Sequence, residues 1–579
     1  MEASSKPASS EPHQAIGDAA GPVDDVCFGS PPDETSCDER LGERSTQADV
    51  ELDYDGLPYE GACFDHTHPG RLAVMARLFG LSAPAIETAR VLELGCASGE
   101  NLIPMSAQLP HATFLGTDLS GRQIRAGQRL IADLGLRNIR LEHVDILELS
   151  EADGVFDYII CHGVYSWVPG EVRAKILDLI RTNLAPDGVA CISYNVYPGW
   201  HQRHAAREIM LYAADAHTDP RERIRAARTA LDFVEAAGFE PSSPYGQSLR
   251  ATNAIASKSR DAYLYHDYME RNNQPFWFHE FWDSLVANQL AYVTDTHIGS
   301  GLPPDTRDEL KRTLEALASD RVRYEQYVDF LRNRMFRQSV IVRGERVPTQ
   351  EPRLDQLETL AVSGELVLAQ GAESDIGTIA TMVFLNSRQQ EIRTTDPMVK
   401  AVLWELGDVF PAVIRMETLR GRAAYRVPKS VGALFAPGTP PLGQLILRLV
   451  ASGSAELHVV PPPAATDLTE RPEASAIARH FATIGGDVPN QRHRQVTLSD
   501  LEREALVLFD GSRTLPEVSE GLLARIKDGE LTISSQGTPL DHETLRPIIP
   551  ALVDRMVQRF LRQSLLVDGP TVRGEAELC

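Results

Sequence analysis

The stretch Glu93-Leu94-Gly95-Cys96-Ala97-Ser98-Gly99 sets a carboxylate and two glycines at the end of the short apolar run Val91-Leu92-Glu93-Leu94. Glycines let a backbone turn sharply and approach a ligand closely. The spacing E-x-G-x-x-x-G is neither the G-x-G-x-x-G of dinucleotide-binding turns nor the G-x-x-x-x-G-K of a triphosphate loop. Glu93 would repel a pyrophosphate, so a ligand with a cationic centre and no phosphate suits the turn better. Asp118 closes the next apolar run, where a carboxylate can accept both hydroxyls of a ribose. Asp145-Ile146 closes a third, where an acidic side chain and the adjoining backbone can read an adenine amino group.

Aromatic and histidine side chains crowd two further segments, His162-Gly163-Val164-Tyr165-Ser166-Trp167-Val168-Pro169 and Ser193-Tyr194-Asn195-Val196-Tyr197-Pro198-Gly199-Trp200. Tyr263-Leu264-Tyr265-His266-Asp267-Tyr268 and Phe276-Trp277-Phe278-His279-Glu280-Phe281-Trp282 add more. Aromatic faces attract alkylammonium groups. A channel of such faces also lowers an amine's pKa by desolvation.

The elements that must position these residues alternate strand and helix. Strands are expected at 91–94, 113–117, 138–143, 156–161 and 188–194. Ser120 caps a helix with Ile124, Ile131 and Leu134 on one side, and Val172, Ile176, Leu179 and Ile180 mark another over 169–184. This reads as a parallel, doubly wound α/β sheet whose carboxyl edge carries the segments 162–169 and 193–200. The region from His201 to about Tyr265 is helical and strand-poor. Leu290 to Thr294 and Gln338 to Val342 then supply late strands, so a seven-stranded, mostly parallel Rossmann-like sheet is expected within 51–345.

Glu93 to Gly99, Asp118 and Asp145 resemble the first three motifs of class I S-adenosylmethionine-dependent methyltransferases, with Ala97 where many members carry a glycine. The aromatic segments narrow the resemblance to bacterial methyltransferases with a methyltransferase regulatory domain, among them the rickettsial protein lysine methyltransferases. The resemblance extends over the chain from about Tyr54. It implies S-adenosyl-L-methionine as cofactor, with contacts from Glu93, Gly95, Cys96, Ala97, Gly99, Asn101, Asp118, Leu119, Asp145, Ile146 and His162. It implies an acceptor mouth built from Tyr165, Trp167, Tyr194, Asn195 and Tyr197, with His162 orienting the acceptor or acting as a base. The expected acceptor is a lysine amine of a protein partner with accessible lysines. A small-molecule or peptide natural-product methyltransferase and a non-catalytic cofactor sensor or scaffold remain as alternatives.

Composition narrows the field further. The chain has 579 residues, with 57 Lys and Arg against 81 Asp and Glu, a formal charge of −24. An acidic chain lacks the basic footprint of a nucleic-acid binder. No stretch approaches the roughly 20 apolar residues of a membrane span, and the polar N-terminus has no secretory pattern. None of the seven cysteines forms a C-x-x-C pair. His66-Thr67-His68-Pro69 lacks a third ligand and reads as a helix start, so no metal site is expected. A cytoplasmic protein fits, with a homodimer left open. Residues 1–50 read as a disordered acidic tail, 201–300 as a helical regulatory region, 346–460 as an α-rich middle domain, 461–475 as a linker, and 476–579 as a winged-helix-like domain suited to protein contacts rather than DNA.

Overall fold

The computed structural model describes residues 56–59, 61–237, 243–301, 307–372, 374–428, 441–535 and 538–568. The expected acidic tail, Tyr54, Cys27, Cys37 and Cys579 lie outside these residues.

Helix α1 (Pro69–Leu78) precedes an alternation of β1 (Arg90–Leu94), α2 (Leu102–Gln108), β2 (Thr113–Asp118), α3 (Gly121–Asp133), β3 (Ile139–His143), β4 (Phe156–Cys161), α4 (Gly170–Asn183) and β5 (Leu184–Asn195). Four helices follow, α5 (His201–Ala214), α6 (Pro220–Ala236), α7 (Pro244–Ala256) and α8 (Asp261–Tyr268). The sheet then resumes through α9 (Phe278–Ala287), β6 (Leu290–Asp295), α10 (Asp308–Leu317), α11 (Arg321–Arg332) and β7 (Phe336–Arg343).

The seven strands lie in the order β3-β2-β1-β4-β5-β7-β6. β1 to β5 pair in parallel, while β7 runs antiparallel between β5 and β6. Burial on both faces explains the near-continuous apolar run Phe156–Cys161, whose residues other than Asp157 are all buried. Ser120 caps α3 by accepting from the Gln123 backbone N–H at 3.3 Å. The order reverses between β1 and β4, which opens a crevice at their carboxyl ends. α5 to α8 form an insertion with a core of their own, including Met210, Ile224, Leu231, Leu249 and Leu264.

The antiparallel edge is fastened by a buried charge network. The fully buried Arg337 on β7 donates to Asp329 of α11 at 2.8 Å and to Asp295 of β6 at 3.1 Å. Arg334 bridges the same two carboxylates, at 2.6 Å from Asp295 and 3.1 Å from Asp329. The Arg337 guanidinium also sits 4.1 Å from the Phe278 ring centroid.

Residues 346–460 combine helices with short strands. They hold two three-stranded sheets, with strands Leu366–Leu368, Met382–Asn386 and Glu391–Thr394 in one and Ala361–Ser363, Ile414–Arg415 and Glu456–His458 in the other, packed with three helices, Pro397–Val409, Met416–Arg426 and Leu442–Ala451. Strands of two to five residues leave too short an alternation to read from sequence. This unit also shares one continuous apolar core with α1 and one face of the main sheet, so no core boundary falls near residue 345. The expected linker is partly packed: Ala465 is buried and its N–H donates to Leu566 O at 3.0 Å. The C-terminal winged-helix domain gathers Ala476–Ile484, Asp500–Leu508, Leu515–Lys527 and Ile549–Arg562 around a separate core.

Arg337→Ala strands two buried carboxylates without this partner. It is expected to lower the unfolding free energy by about 3–5 kcal/mol, read as a reduced urea midpoint.

Candidate active site

The turn after β1 is folded back on β2, since the N–H groups of Gly95 and Cys96 both donate to Thr117 O at 2.8 and 3.0 Å. Gly95 has φ +72°, and a Cβ there would stand 2.4 Å from Val164 Cγ2. Only glycine lets the β1 and β4 loops approach so closely. Ala97 takes φ +51°, the left-handed conformation for which glycine is favoured. Its N–H donates to Asp118 Oδ2 at 2.8 Å, and Ser120 N–H donates to Asp118 Oδ1 at 2.8 Å. Two backbone donors thus fix the Asp118 carboxylate at the crevice.

Glu93 is 3% exposed. Asn101 Nδ2 donates to its Oε1 at 2.7 Å, whereas its Oε2 is buried without a hydrogen-bond partner among the described residues. Burial pushes the Glu93 pKa up to about 8; the Asn101 bond opposes the shift and the charges of Glu100 and Asp118 reinforce it. An orphaned carboxylate oxygen beside a glycine turn fits the ammonium of a methionyl group, and the fixed Asp118 fits a ribose. The donor set therefore suits S-adenosylmethionine.

These residues line a cavity of about 460 Å³, within the range of small-ligand sites. It brings together Glu93, Gly95, Cys96, Ala97, Asn101, Asp118, Leu119, Asp145, Ile146, His162, Trp167 and Asn195. Gly99 is not on its wall; its Cβ position faces Leu141 and Ile103 instead. Asp145 Oδ1 accepts from Leu147 N–H at 2.8 Å and so caps a short turn as well.

Three expected mouth residues lie elsewhere. Tyr165 and Tyr194 are 3% and 1% exposed. Tyr194 stacks on Phe281 at 3.9 Å, and Tyr165 meets Phe276 and Phe281 at 5.5 and 5.7 Å. The Tyr194 hydroxyl lies 3.2 Å from Ser339 Oγ. Both rings are core, because α9 covers this face of the sheet. Tyr197 stacks on His201 at 4.1 Å, outside the cavity wall.

His162 lies 3.3 Å from His66 Nε2 through its Nδ1, and the Gln338 amide nitrogen lies 2.9 Å from the same His66 atom. With Gln338 donating, His66 Nε2 is an acceptor, so His162 carries its proton on Nδ1 and keeps a lone pair on Nε2. Burial and the adjacent His66 hold its pKa well below the ordinary histidine value. It is a neutral hydrogen-bond acceptor.

The other wall comes from residues that motif reading missed: Tyr59 and Phe64 before α1, Trp200 and Arg203 at α5, Tyr263, His266 and Asp267 on α8, and Met335 and Phe336 at β7. The aromatic density of 263–268 and the Trp200 that ends the aromatic segment 193–200 were the signals for them. Trp167 meets Trp200 edge to face at 5.9 Å. The Asp267 carboxylate takes no hydrogen bond from a described residue; burial raises its pKa to about 7, opposed by Arg203.

His68 Nδ1 accepts from Gly70 N–H at 3.0 Å, a helix start. Donor atoms of Asp65, His66 and His297 come within 4.8 Å of one another. Asp65, however, is shared by Arg71 at 3.8 Å and Arg494 at 3.3 Å, so its charge is already balanced by two guanidinium groups. Tyr194→Phe is expected to lower stability by about 1 kcal/mol and leave turnover unchanged, read by urea unfolding and steady-state kinetics.

Three family profiles match the chain: "Methyltransferase domain" over 91–188, "Predicted methyltransferase regulatory domain" over 260–343, and "PKMT, C-terminal winged helix domain" over 470–565. An uncharacterized protein of Rickettsia prowazekii is 31% identical over 526 residues, spanning 89% of this chain and 93% of that protein. A second R. prowazekii protein is 38% identical over 230 residues, 40% of this chain and 92% of its own. The structure of PKMT2 from Rickettsia typhi in complex with AdoHcy superposes with a TM-score of 0.80 at 28% identity, covering 88% of this chain and all of that one. The chain therefore belongs to the S-adenosylmethionine-dependent methyltransferases that join a Rossmann-like catalytic domain to a methyltransferase regulatory domain and a PKMT-type winged helix.

Proposed function

We propose that this enzyme methylates lysine side-chain amines of a protein. The observation that carries the reading is the composition of the second wall: Trp167 and Tyr263 with one carboxylate, Asp267, in the same cavity as Glu93 and Asp118, the Trp200 face being taken by the Arg203 guanidinium at 5.2 Å. Aromatic faces and a carboxylate together recognise an alkylammonium group. The similarity to PKMT2 of R. typhi supports the same acceptor class. The charge of −24 favours a protein over a nucleic acid, and four buried free thiols, Cys63, Cys96, Cys161 and Cys191, support a cytoplasmic setting.

S-adenosylmethionine, when bound, supplies an electrophilic methyl group on a sulfonium. Glu93 would receive the methionyl ammonium, Asp118 the ribose hydroxyls, and Asp145 with Ile146 the adenine. A free lysine has a pKa of about 10.4, so its proton must leave before nitrogen can attack. Aromatic walls weaken the ammonium by desolvation. Asp267, poised near pH 7, accepts the proton. Asn195 commits its amide N–H to Asn273 Oδ1 at 3.1 Å, leaving its carbonyl oxygen to accept from the amine. His162 Nε2 offers a second acceptor. Positioning of this kind can supply most of the rate.

The test is transfer of radiolabelled methyl groups from S-adenosylmethionine into an extract of cells lacking the enzyme. Label in discrete protein bands, mapped to lysine, is the expected outcome; label confined to small molecules overturns the reading. Asp118→Ala is expected to weaken cofactor binding by about 1.5–3 kcal/mol in calorimetry. Asp267→Asn is expected to lower kcat by about 10²-fold or more with cofactor affinity unchanged.

A further inference from the structure

The C-terminal domain reaches the methyl-donor site through one side chain. A hairpin of Val488–Pro489 and Gln495–Val496 turns at Asn490, whose Oδ1 accepts from the N–H groups of Arg492 and Arg494, each at 2.9 Å. Asn490 Nδ2 ties the turn to its own domain by donating to Gln563 O at 2.7 Å. Across the domain boundary Gln108 Nε2 donates to Asn490 O at 3.0 Å, and Arg492 pairs with Glu456 at 2.9 Å. At the tip, His493 takes φ +57° and is 1% exposed. A non-glycine residue is held in that conformation only by its surroundings.

The held ring points at the donor site. His493 Nε2 lies 2.8 Å from Asn101 Oδ1. An amide oxygen only accepts, so His493 donates, and its buried Nδ1 is left with no hydrogen-bond partner among the described residues. Burial keeps this imidazole neutral, with the His68 ring 5.5 Å away and Asp65 and His66 also acting on it. Phe64 N–H also donates to Asn101 Oδ1, at 2.9 Å. With its oxygen held by these donors, the amide turns its Nδ2 to Glu93 Oε1 at 2.7 Å and to Thr67 Oγ1 at 3.0 Å. A hydrogen-bond chain thus runs from the C-terminal domain through Asn101 to the carboxylate whose other oxygen is unpartnered.

We propose that His493 is a positioning residue for the methyl donor: through Asn101 it orients Glu93, so that docking of the C-terminal domain and binding of the methionyl end of S-adenosylmethionine are coupled. The proposal rests on the reading of Glu93 as the ammonium receptor. Such coupling is reciprocal, so the cofactor also holds the hairpin in place. The groups facing Glu93 are Asn101, Glu100 and Asp118, and only the Asn101 bond lowers its pKa. Loosening Asn101 therefore raises the pH at which Glu93 becomes the anion that a cation needs.

The test is calorimetric titration of the full-length protein with S-adenosylmethionine from neutral to alkaline pH, together with backbone hydrogen exchange. His493→Ala is expected to weaken binding about tenfold and to move the pH midpoint of affinity upward. His493→Gln, whose side-chain N–H can replace the donor, is expected to restore both. In the wild type, cofactor is expected to slow exchange at Arg492 to Arg494. Glu93→Gln separates the two readings: if it binds as the wild type does, the ammonium assignment fails and the proposal falls with it. If Glu93→Gln binds weakly while His493→Ala keeps the wild-type affinity and pH profile, the positioning role alone is overturned. Equal weakening in the Ala and Gln variants, with no shift of the pH midpoint, also overturns it.

Discussion

Glu93 is a carboxylate that the fold buries without finishing. It sits at the end of β1, paired in register with Gly116 on one side and Ile160 on the other, where the strand is covered on both faces. Burying an ionised group is unfavourable unless a partner answers it. Here one oxygen is answered by Asn101 and the other by nothing among the described residues. Burial pushes its pKa up to about 8, so a proton answers the group where no cation does, and the surrounding structure can be read as what holds it in place: the glycine at Gly95 that brings the β4 loop close, the Asn101 amide, and the donors that hold the amide in place.

The far edge of the sheet solves the same problem the other way. Asp295 and Asp329 are as buried as Glu93, yet Arg334 and Arg337 answer both. Arginine carries its charge under all working conditions and its planar fork meets two carboxylates at once. That network answers its own charges, so it carries stability. The Tyr194 hydroxyl, near Ser339, which in turn donates to Asp295 at 3.2 Å, belongs to this closed side of the molecule.

The two halves of the cavity differ in how far sequence reveals them. The donor half is local: a strand, a turn and the next strand's final carboxylate lie within 93–118, and each residue type has a backbone reason to be there. Gly99 is the exception, spent on packing against Leu141 and Ile103. The acceptor half is assembled from segments before α1, after β5, on α8 and before β7. No spacing links Tyr59, Arg203, Asp267 and Phe336. Both faces of β5 are buried, so alternation does not separate Tyr194, which packs on Phe281 of α9, from Asn195, which lines the cavity; the sequence reading placed both at the mouth. The strands of the middle unit were hard to read for a related reason, since most of them run only two to four residues.

A long-range contact of this kind also explains why the chain is larger than its catalytic sheet. The β1 turn needs nothing beyond β2 and β4 to form, but the orientation of Asn101 depends on Phe64, from before α1, and on His493, 392 residues further along the chain. The acceptor wall likewise depends on the α5–α8 insertion for Arg203 and Asp267. The central sheet therefore supplies a crevice and a fixed Asp118, while the appended regions add His493, bonded to Asn101, and Arg203 and Asp267 on the facing wall.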